Sequence, residues 1–450
     1  GYVSEEPEDY GDRAHADAKS QHSGRLREIG EELAAHPDVV KALGCELFEA
    51  RHNNPVELGR GLGAATTDPM GCWCMLRNLY LSSPERSRKS TILSGFLIAV
   101  DERAPDLADE IRRECLAIPA LKQIYVDFAP AGHISEAELD RLIEAASDPE
   151  VWAHQFGMLV CSDGHGLSHA QRIRLLSALR EGRGGQKATI NALAMLGHGD
   201  KHSARDGPRD RRDIGISAVT SLLMHEGEWL DDTCDYRAAE VVQKCLLPSD
   251  EVGARRLVDA LVAYASRRYR LLYGVHRTVN AVAQRSTTVL LDRALASPDS
   301  ELRHGFDASL DVSLLAGVEP QALVDWCRSG SPERWSAVAR LIEPFVPGED
   351  LQAGVKARGL SAQAQALLAA APDPADVVEA LVVNVESMSG GASRAASMEQ
   401  RFGALEQLRL HPSDGVRKAF EVRVAALRLA IARERDRERK ENSERDVSFE

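Results

Sequence analysis

No run of the roughly 18 to 20 continuous apolar residues needed to span a bilayer occurs in this sequence. Phe96 to Val100 is among its longest unbroken apolar runs, so no membrane association through a spanning helix is expected. Positive charge is in deficit: the formal net charge is −14, which excludes a protein that coats nucleic acid or anionic membrane with its whole surface, because phosphate binding needs local positive potential. A local basic stripe stays open. Aromatic residues are sparse at 5%. The chain lacks an initiating Met and a basic-then-apolar leader, opening instead on Gly1, Tyr2 and an acidic stretch through Glu5, Glu6, Glu8, Asp9 and Asp12. It is therefore expected to be a piece of a longer protein. Cys45, Cys72, Cys74, Cys115, Cys161, Cys234, Cys245 and Cys327 are scattered mostly within apolar stretches, which reads as reduced, buried thiols in a cytoplasmic protein.

What the sequence does have is helical material. Its 450 residues are 44% hydrophobic and 28% charged, with Ala, Leu, Arg and Glu prominent, a balance that favours helix over sheet and suffices for a large core. Leu26, Ile29 and Leu33, then Val39, Val40, Leu43 and Leu47 beyond His36-Pro37-Asp38, recur with the period of a helix face. Pro37, Pro84, Pro149, Pro298, Pro332 and Pro412 stand among polar and acidic neighbours as helix-start signals. The Pro298, Pro332 and Pro412 spacings fit units of roughly 34 to 40 residues, the period of a helical repeat. The expected fold is all-α, an irregular α-solenoid of stacked antiparallel helix pairs.

The stretch Leu405 to Phe420, in which Leu408-Arg409-Leu410 leads into His411-Pro412-Ser413-Asp414 and then Val416-Arg417, resembles the turn of HEAT-like repeats. That resemblance implies fold and not activity. Followed by the Arg/Glu-rich 433–446 stretch, with Asp436–Lys440 and Arg437–Glu441 at i,i+4, this ending also resembles the C-terminal region of large bacterial multidomain proteins, some of which act in antiviral defence.

The expected organisation is a disordered acidic lead-in over 1–23, helical repeats over 24–197, an exposed basic loop over 198–213, helical repeats over 214–385, a flexible Gly/Ser connector over 386–397, and a C-terminal helical repeat with a charged, solvated helix over 398–450.

Several stretches invite chemistry. Phe156 to Val160 followed by Cys161-Ser162-Asp163-Gly164-His165-Gly166 resembles the strand and catalytic His of caspase-like proteases, but Asp148-Pro149-Glu150 predicts a helix running through it and no later strand supplies a nucleophilic Cys. His165 with His169, and His198 with His202, have the i,i+4 spacing of zinc ligands, yet both pairs lie in Gly-containing turns. Cys72-Trp73-Cys74, with Cys45 and His52, is too tightly spaced for a zinc knuckle and sits among Met70, Met75, Leu76 and Leu79, which read as core. Gly182-Arg183-Gly184-Gly185-Gln186-Lys187-Ala188-Thr189 lacks the contiguous Gly-Lys-Ser/Thr of a phosphate loop and follows a helix; it reads as a helix-terminating turn. No catalytic residue, metal or cofactor is expected.

The interleaving of Arg255, Arg256, Tyr264, Arg267, Arg268, Tyr269, Arg270, Tyr273, His276 and Arg277 suits either core tyrosines with a solvated arginine face or a contact surface. Lys201, Arg205, Arg209, Arg211 and Arg212 join it as candidate binding residues, alongside Arg267, Arg268, Tyr269, Arg270, Tyr273 and Arg277. The leading expectation is a non-enzymatic helical-repeat scaffold or sensor, part of a larger chain or complex, with a protein partner ahead of nucleic acid. The alternatives are a hydrolase centred on His165 and a nucleic-acid-binding repeat protein using 264–277.

Overall fold

The computed structural model describes the chain except residues 1–9, 49–54, 87, 131–133, 162–165, 197–208, 225–230, 268–271, 297–313, 347–358, 387–392 and 449–450, and describes only the backbone at 10–20, 209–210, 273, 386 and 445–448. It divides into two compact units, Gly1–Ala192 and Leu193–Glu450. Apart from one pair of two-residue antiparallel strands, β1 (Phe345–Val346) and β2 (Gly359–Leu360), the named elements of the described residues are helices. The fold is all-α and solenoid-like.

In the first unit the α-helices are α1 (Tyr10–Ala34), α2 (Pro37–Leu43), α3 (Pro55–Ala65), α4 (Pro69–Ser82), α5 (Thr91–Arg103), α6 (Pro105–Ala117), α7 (Pro119–Lys122), α8 (Glu136–Ala146), α9 (Gly157–Cys161), α10 (His169–Glu181) and α11 (Gly185–Leu196), the last of which crosses the division. The pairs α1/α3, α3/α5 and α8/α10 pack as next-but-one neighbours. Glycine sets the closeness of the first two contacts. A Cβ on Gly61 would lie 2.1 Å from the Arg27 carbonyl oxygen of α1, and one on Gly59 would lie 2.1 Å from that of Ile92 in α5. No side chain fits there, so the backbones touch. Trp73 anchors the aromatic core beside them: it is fully buried, stacks on Phe96 at 6.3 Å, meets Phe128 edge-on at 6.2 Å, and donates its indole N–H to Glu114 Oε2 at 2.8 Å.

The second unit carries α12 (Arg209–Met224), α13 (Asp232–Cys245), α14 (Glu251–Arg267), α15 (His276–Arg285), α16 (Thr287–Ala294), α17 (Pro320–Arg328), α18 (Glu333–Leu341), α19 (Ala362–Ala370), α20 (Pro374–Glu386), α21 (Arg394–Leu405) and α22 (Asp414–Ser448). Here α12/α14, α13/α15, α14/α16, α17/α19, α18/α20 and α20/α22 pack as next-but-one pairs, the contact pattern of stacked hairpins.

A cap recurs in both units. A helix's last four carbonyls have no partner within the helix, and an arginine at the end of the next-but-one helix supplies donors to them. Arg103 of α5 reaches the Gly63 carbonyl of α3, 40 residues back, at 2.8 Å. Arg267 of α14 donates to Leu223 of α12, 44 residues back, and Arg285 of α15 to Gln243 of α13, 42 back. Each also places positive charge at a helix C-terminus. Buried amides do similar work: Asn384 donates to the Ala339 and Ile342 carbonyls at the end of α18, at 3.1 and 3.4 Å.

Several expectations shift. Helix α1 begins at Tyr10, inside the stretch read as a disordered lead-in, because extending a helix from a docked turn costs far less than nucleating one. Helix α12 begins at Arg209 and α21 at Arg394, inside the stretches read as loop and connector. Of the proline signals, Pro37 opens α2 and Pro332 caps α18, and Pro412 stands shortly before α22. Pro84 and Pro149 lie in turns, and Pro298 lies outside the described residues. The segment after Pro84 is almost wholly polar and has no face to bury. The starts that sequence reading passed over, Pro55, Pro69, Pro105, Pro119, Pro320 and Pro374, each precede residues that do bury a face. The helix expected to run on from Pro149 is instead a 3-10 turn (Ala153–Phe156) leading into the short α9.

Candidate functional site

Helices α14, α16 and α17 of the second unit enclose a cleft of about 1080 Å³. Its position follows from the stacking: α14 packs on α16 and α16 on α17, while Pro248, Ser249, Arg285, Ser286 and Thr287 at the helix ends line it. Acidic and basic groups alternate on its walls, Glu251, Asp259, Asp292 and Asp325 facing the same space as Arg255, Arg285 and Arg293.

The charges are tied to one another. Arg293 Nε lies 3.4 Å from Asp259 Oδ1, and Arg255 pairs with Glu251 one turn away. Asp292 Oδ1 accepts the Trp326 indole N–H at 2.9 Å and Arg334 Nη2 at 3.0 Å. The Arg334 guanidinium lies 4.0 Å over the Trp326 ring and donates to the Trp326 carbonyl at 2.9 Å. Trp326 is buried and is held on its face, at its N–H and at its carbonyl. A floor fixed in this way is preorganised, and the polar groups around it offer donors and acceptors of both signs.

Another cavity, about 480 Å³, lies in the first unit between α1–α2 and α3–α4 and is lined in part by Val40, Leu62, Thr66, Cys72 and Met75. Burial pushes the Cys72 thiol up to about 11, so it stays protonated near neutral pH. The same cause raises Cys115 and Cys327 to about 12 and Cys245 to about 11. All eight cysteines are free thiols.

Of the residues proposed from sequence, Arg211, Arg212, Arg267 and Arg277 have described side chains. Lys201, Arg205, Arg268, Tyr269 and Arg270 lie outside the described residues, as do the side chains of Arg209 and Tyr273. Arg267 turns inward to cap α12, and Tyr264 is buried. Arg277 is exposed and lies 5.6 Å over the Tyr236 ring, while Arg211 and Arg212 are half-buried at the start of α12. Arg267 and Arg277 thus serve different neighbours.

Phe156 to Val160 is helical and not the strand a caspase-like site requires, and Cys161 Sγ is 3.3 Å from the Ala192 carbonyl. His169 stands exposed at the start of α10; His52, His165, His198 and His202 lie outside the described residues. Among the described residues, no group of three or more His, Cys, Asp and Glu is arranged to hold a metal, and no helix is long and apolar enough to cross a membrane. The Gly182 to Gly185 segment ends α10 and starts α11, with Gly184 at φ +65°.

Trp326, Asp292 and Arg334 were not singled out from sequence. Their one signal is spacing: 34 residues separate Asp292 from Trp326 and 42 separate it from Arg334, the period of the stack. In comparisons with protein-family models, curated proteins and solved structures, nothing matches this chain.

Proposed function

We propose that this protein is a non-enzymatic helical-repeat scaffold that holds a polypeptide segment of a partner protein in the α14/α16/α17 cleft. The observation that carries this reading is the alternation of Asp259, Asp292 and Asp325 with Arg255, Arg285 and Arg293 around a rigid tryptophan floor. A nucleic-acid strand needs a groove of one sign to follow its phosphates, whereas a peptide offers charges of both signs and a backbone of donors and acceptors. The recurring arginine caps, each reaching a carbonyl 40 to 44 residues back, support a HEAT-like reading of the helix pairs. A place in a bacterial antiviral-defence assembly rests on the resemblance of 405–450 alone.

The test is co-purification of the full chain from its native host, run in parallel with a variant whose cleft is filled and its charge reversed, Thr288→Trp with Arg293→Glu. Both positions line the cleft, and neither is buried. The expected result is a polypeptide retained by the unaltered chain and lost by the variant. An identical set of proteins on both overturns the reading, and so does retention of RNA or DNA that is released with rising salt.

A further inference from the structure

The last helix, α22, buries one face and leaves the opposite one apolar and uncovered. Val416, Phe420, Val424, Leu427 and Ile431 point into the core. On the outer face Val422 is 76% exposed and Leu429 52%, and Ala425, Ala426 and Ala432 are exposed with them. These positions recur at the three- and four-residue spacing of one helix ridge. Single exposed apolar residues are ordinary on a surface, but a continuous ridge of them marks a contact. The alanines let another backbone approach closely.

Charge selects the occupant. Lys418 lies one helical turn before Val422, and Asp436 one turn beyond Ala432; both are exposed on the same ridge. We infer that this ridge pairs with the same ridge of a second copy of this chain, antiparallel about a two-fold axis that crosses the outer ridge midway between Ala425 and Leu429. In that register Val422 faces Ala432 of the second copy, Ala425 faces Leu429, and Lys418 faces Asp436, each contact occurring twice. A parallel pairing sets Lys418 against Lys418 and Asp436 against Asp436, which disfavours it. The apolar centre and the charged ends thus agree on one orientation. The local pairs Lys418–Asp414 and Arg439–Asp436 leave both charges at the surface and do not remove them from the ridge.

Sedimentation velocity on the full chain over a wide concentration range tests this. The expected result is a reversible dimer that Val422→Glu with Leu429→Glu converts to monomer while the helical circular dichroism is unchanged, since neither side chain belongs to the core. Asp436→Lys weakens the dimer about tenfold, and adding Lys418→Glu restores it. A mixture of Val422→Cys and Ala432→Cys chains forms the mixed disulfide under oxidation. A monomer at every concentration overturns the proposal. A dimer indifferent to the Leu429 and Val422 changes, or a Val422→Cys chain that cross-links to itself through the new thiol, overturns it equally.

Discussion

Asp235 on α13 accepts hydrogen bonds from both the N–H and the hydroxyl of Thr278 on α15, at 3.0 and 2.7 Å, across 43 residues of sequence. Its second oxygen takes the Arg277 N–H at 2.9 Å. The first turn of α15 is thus capped by a side chain from the next-but-one helix in place of its own N-cap, Val275, which offers no side-chain acceptor. Secondary structure in one hairpin depends on the packing of the hairpin before it.

Asp235→Ala removes that cap and strands two backbone N–H groups beside a buried hydroxyl. The expected loss is about 2 to 4 kcal/mol, read from urea unfolding of the full chain. Thr278→Val, which removes only the hydroxyl donor, is expected to cost less. Equal effects of the two changes, or none, contradict the capping role.

Burial holds the Asp235 carboxyl above its ordinary range despite the hydrogen bonds it accepts, and burial likewise raises Asp127, Glu138 and Glu343. Unfolded carboxylates titrate near pH 4. Between that value and the raised folded values these four groups bind more protons in the folded chain than in the unfolded one, so their contribution to stability falls as pH rises through the window. Asp235→Asn is expected to flatten this slope in unfolding midpoints measured upward from about pH 4; a slope unchanged by the substitution shows that Asp235 does not titrate there.

Gly61→Val drives a side chain into the Arg27 carbonyl and separates α1 from α3. A loss of about 3 kcal/mol or more is expected, with reduced helical signal if α1 detaches. Gly24, also in α1 but with nothing within 4 Å of where a Cβ would lie, is the control: Gly24→Ala is expected to stabilise by about 0.5 to 1 kcal/mol. A melting temperature that moves the same way for both argues against backbone contact as the cause.

Trp326→Phe keeps the ring under Arg334 but removes the indole donor to Asp292. About 1 kcal/mol of stability is expected to go, while Arg334→Ala, which removes the stacking cation and its bonds to Asp292 and the Trp326 carbonyl, costs more. Calorimetric unfolding of each variant and of the pair reads the coupling; strictly additive losses exclude a shared network.

Glu438 lies far along the charged part of α22, yet it accepts the Ala395 N–H at 2.9 Å and the Ser393 hydroxyl at 2.7 Å at the start of α21. Those bonds lower its carboxyl below the ordinary range, so its contribution is present above the unfolded value near pH 4 and is lost as pH falls through the folded one. Glu438→Gln is expected to speed amide hydrogen exchange in the first turn of α21 and leave the middle of α22 unaffected. Unchanged exchange at Ala395 removes the cap. The solvated extension expected from the Arg/Glu pattern is in this respect a docked one.

The helical class was legible along most of the chain, because the period of Leu26, Ile29 and Leu33, like that of Val416, Phe420, Val424, Leu427 and Ile431, is a local property that burial then uses. Proline at a helix start was legible too, although which prolines act that way was not. Pro84 precedes an almost wholly polar segment, whereas Pro105 precedes Ala108, Ile111 and Cys115, which bury a face. The thiols expected to be buried are so at Cys115, Cys234, Cys245 and Cys327, whereas Cys45 is exposed and Cys72, Cys74 and Cys161 are half-buried.

The cleft and the caps were decided elsewhere. Arg267 reads in sequence as one more member of a basic stretch and in three dimensions ends α12; Asp235, Asp292, Trp326 and Arg334 have no local signature at all. Periodicity determines which face of a helix is buried, since it depends only on residues within two turns. Which carbonyl an arginine reaches, and which walls a cleft has, depends on how successive hairpins stack, and that geometry is fixed by contacts some 40 residues apart, such as Asp235 with Thr278.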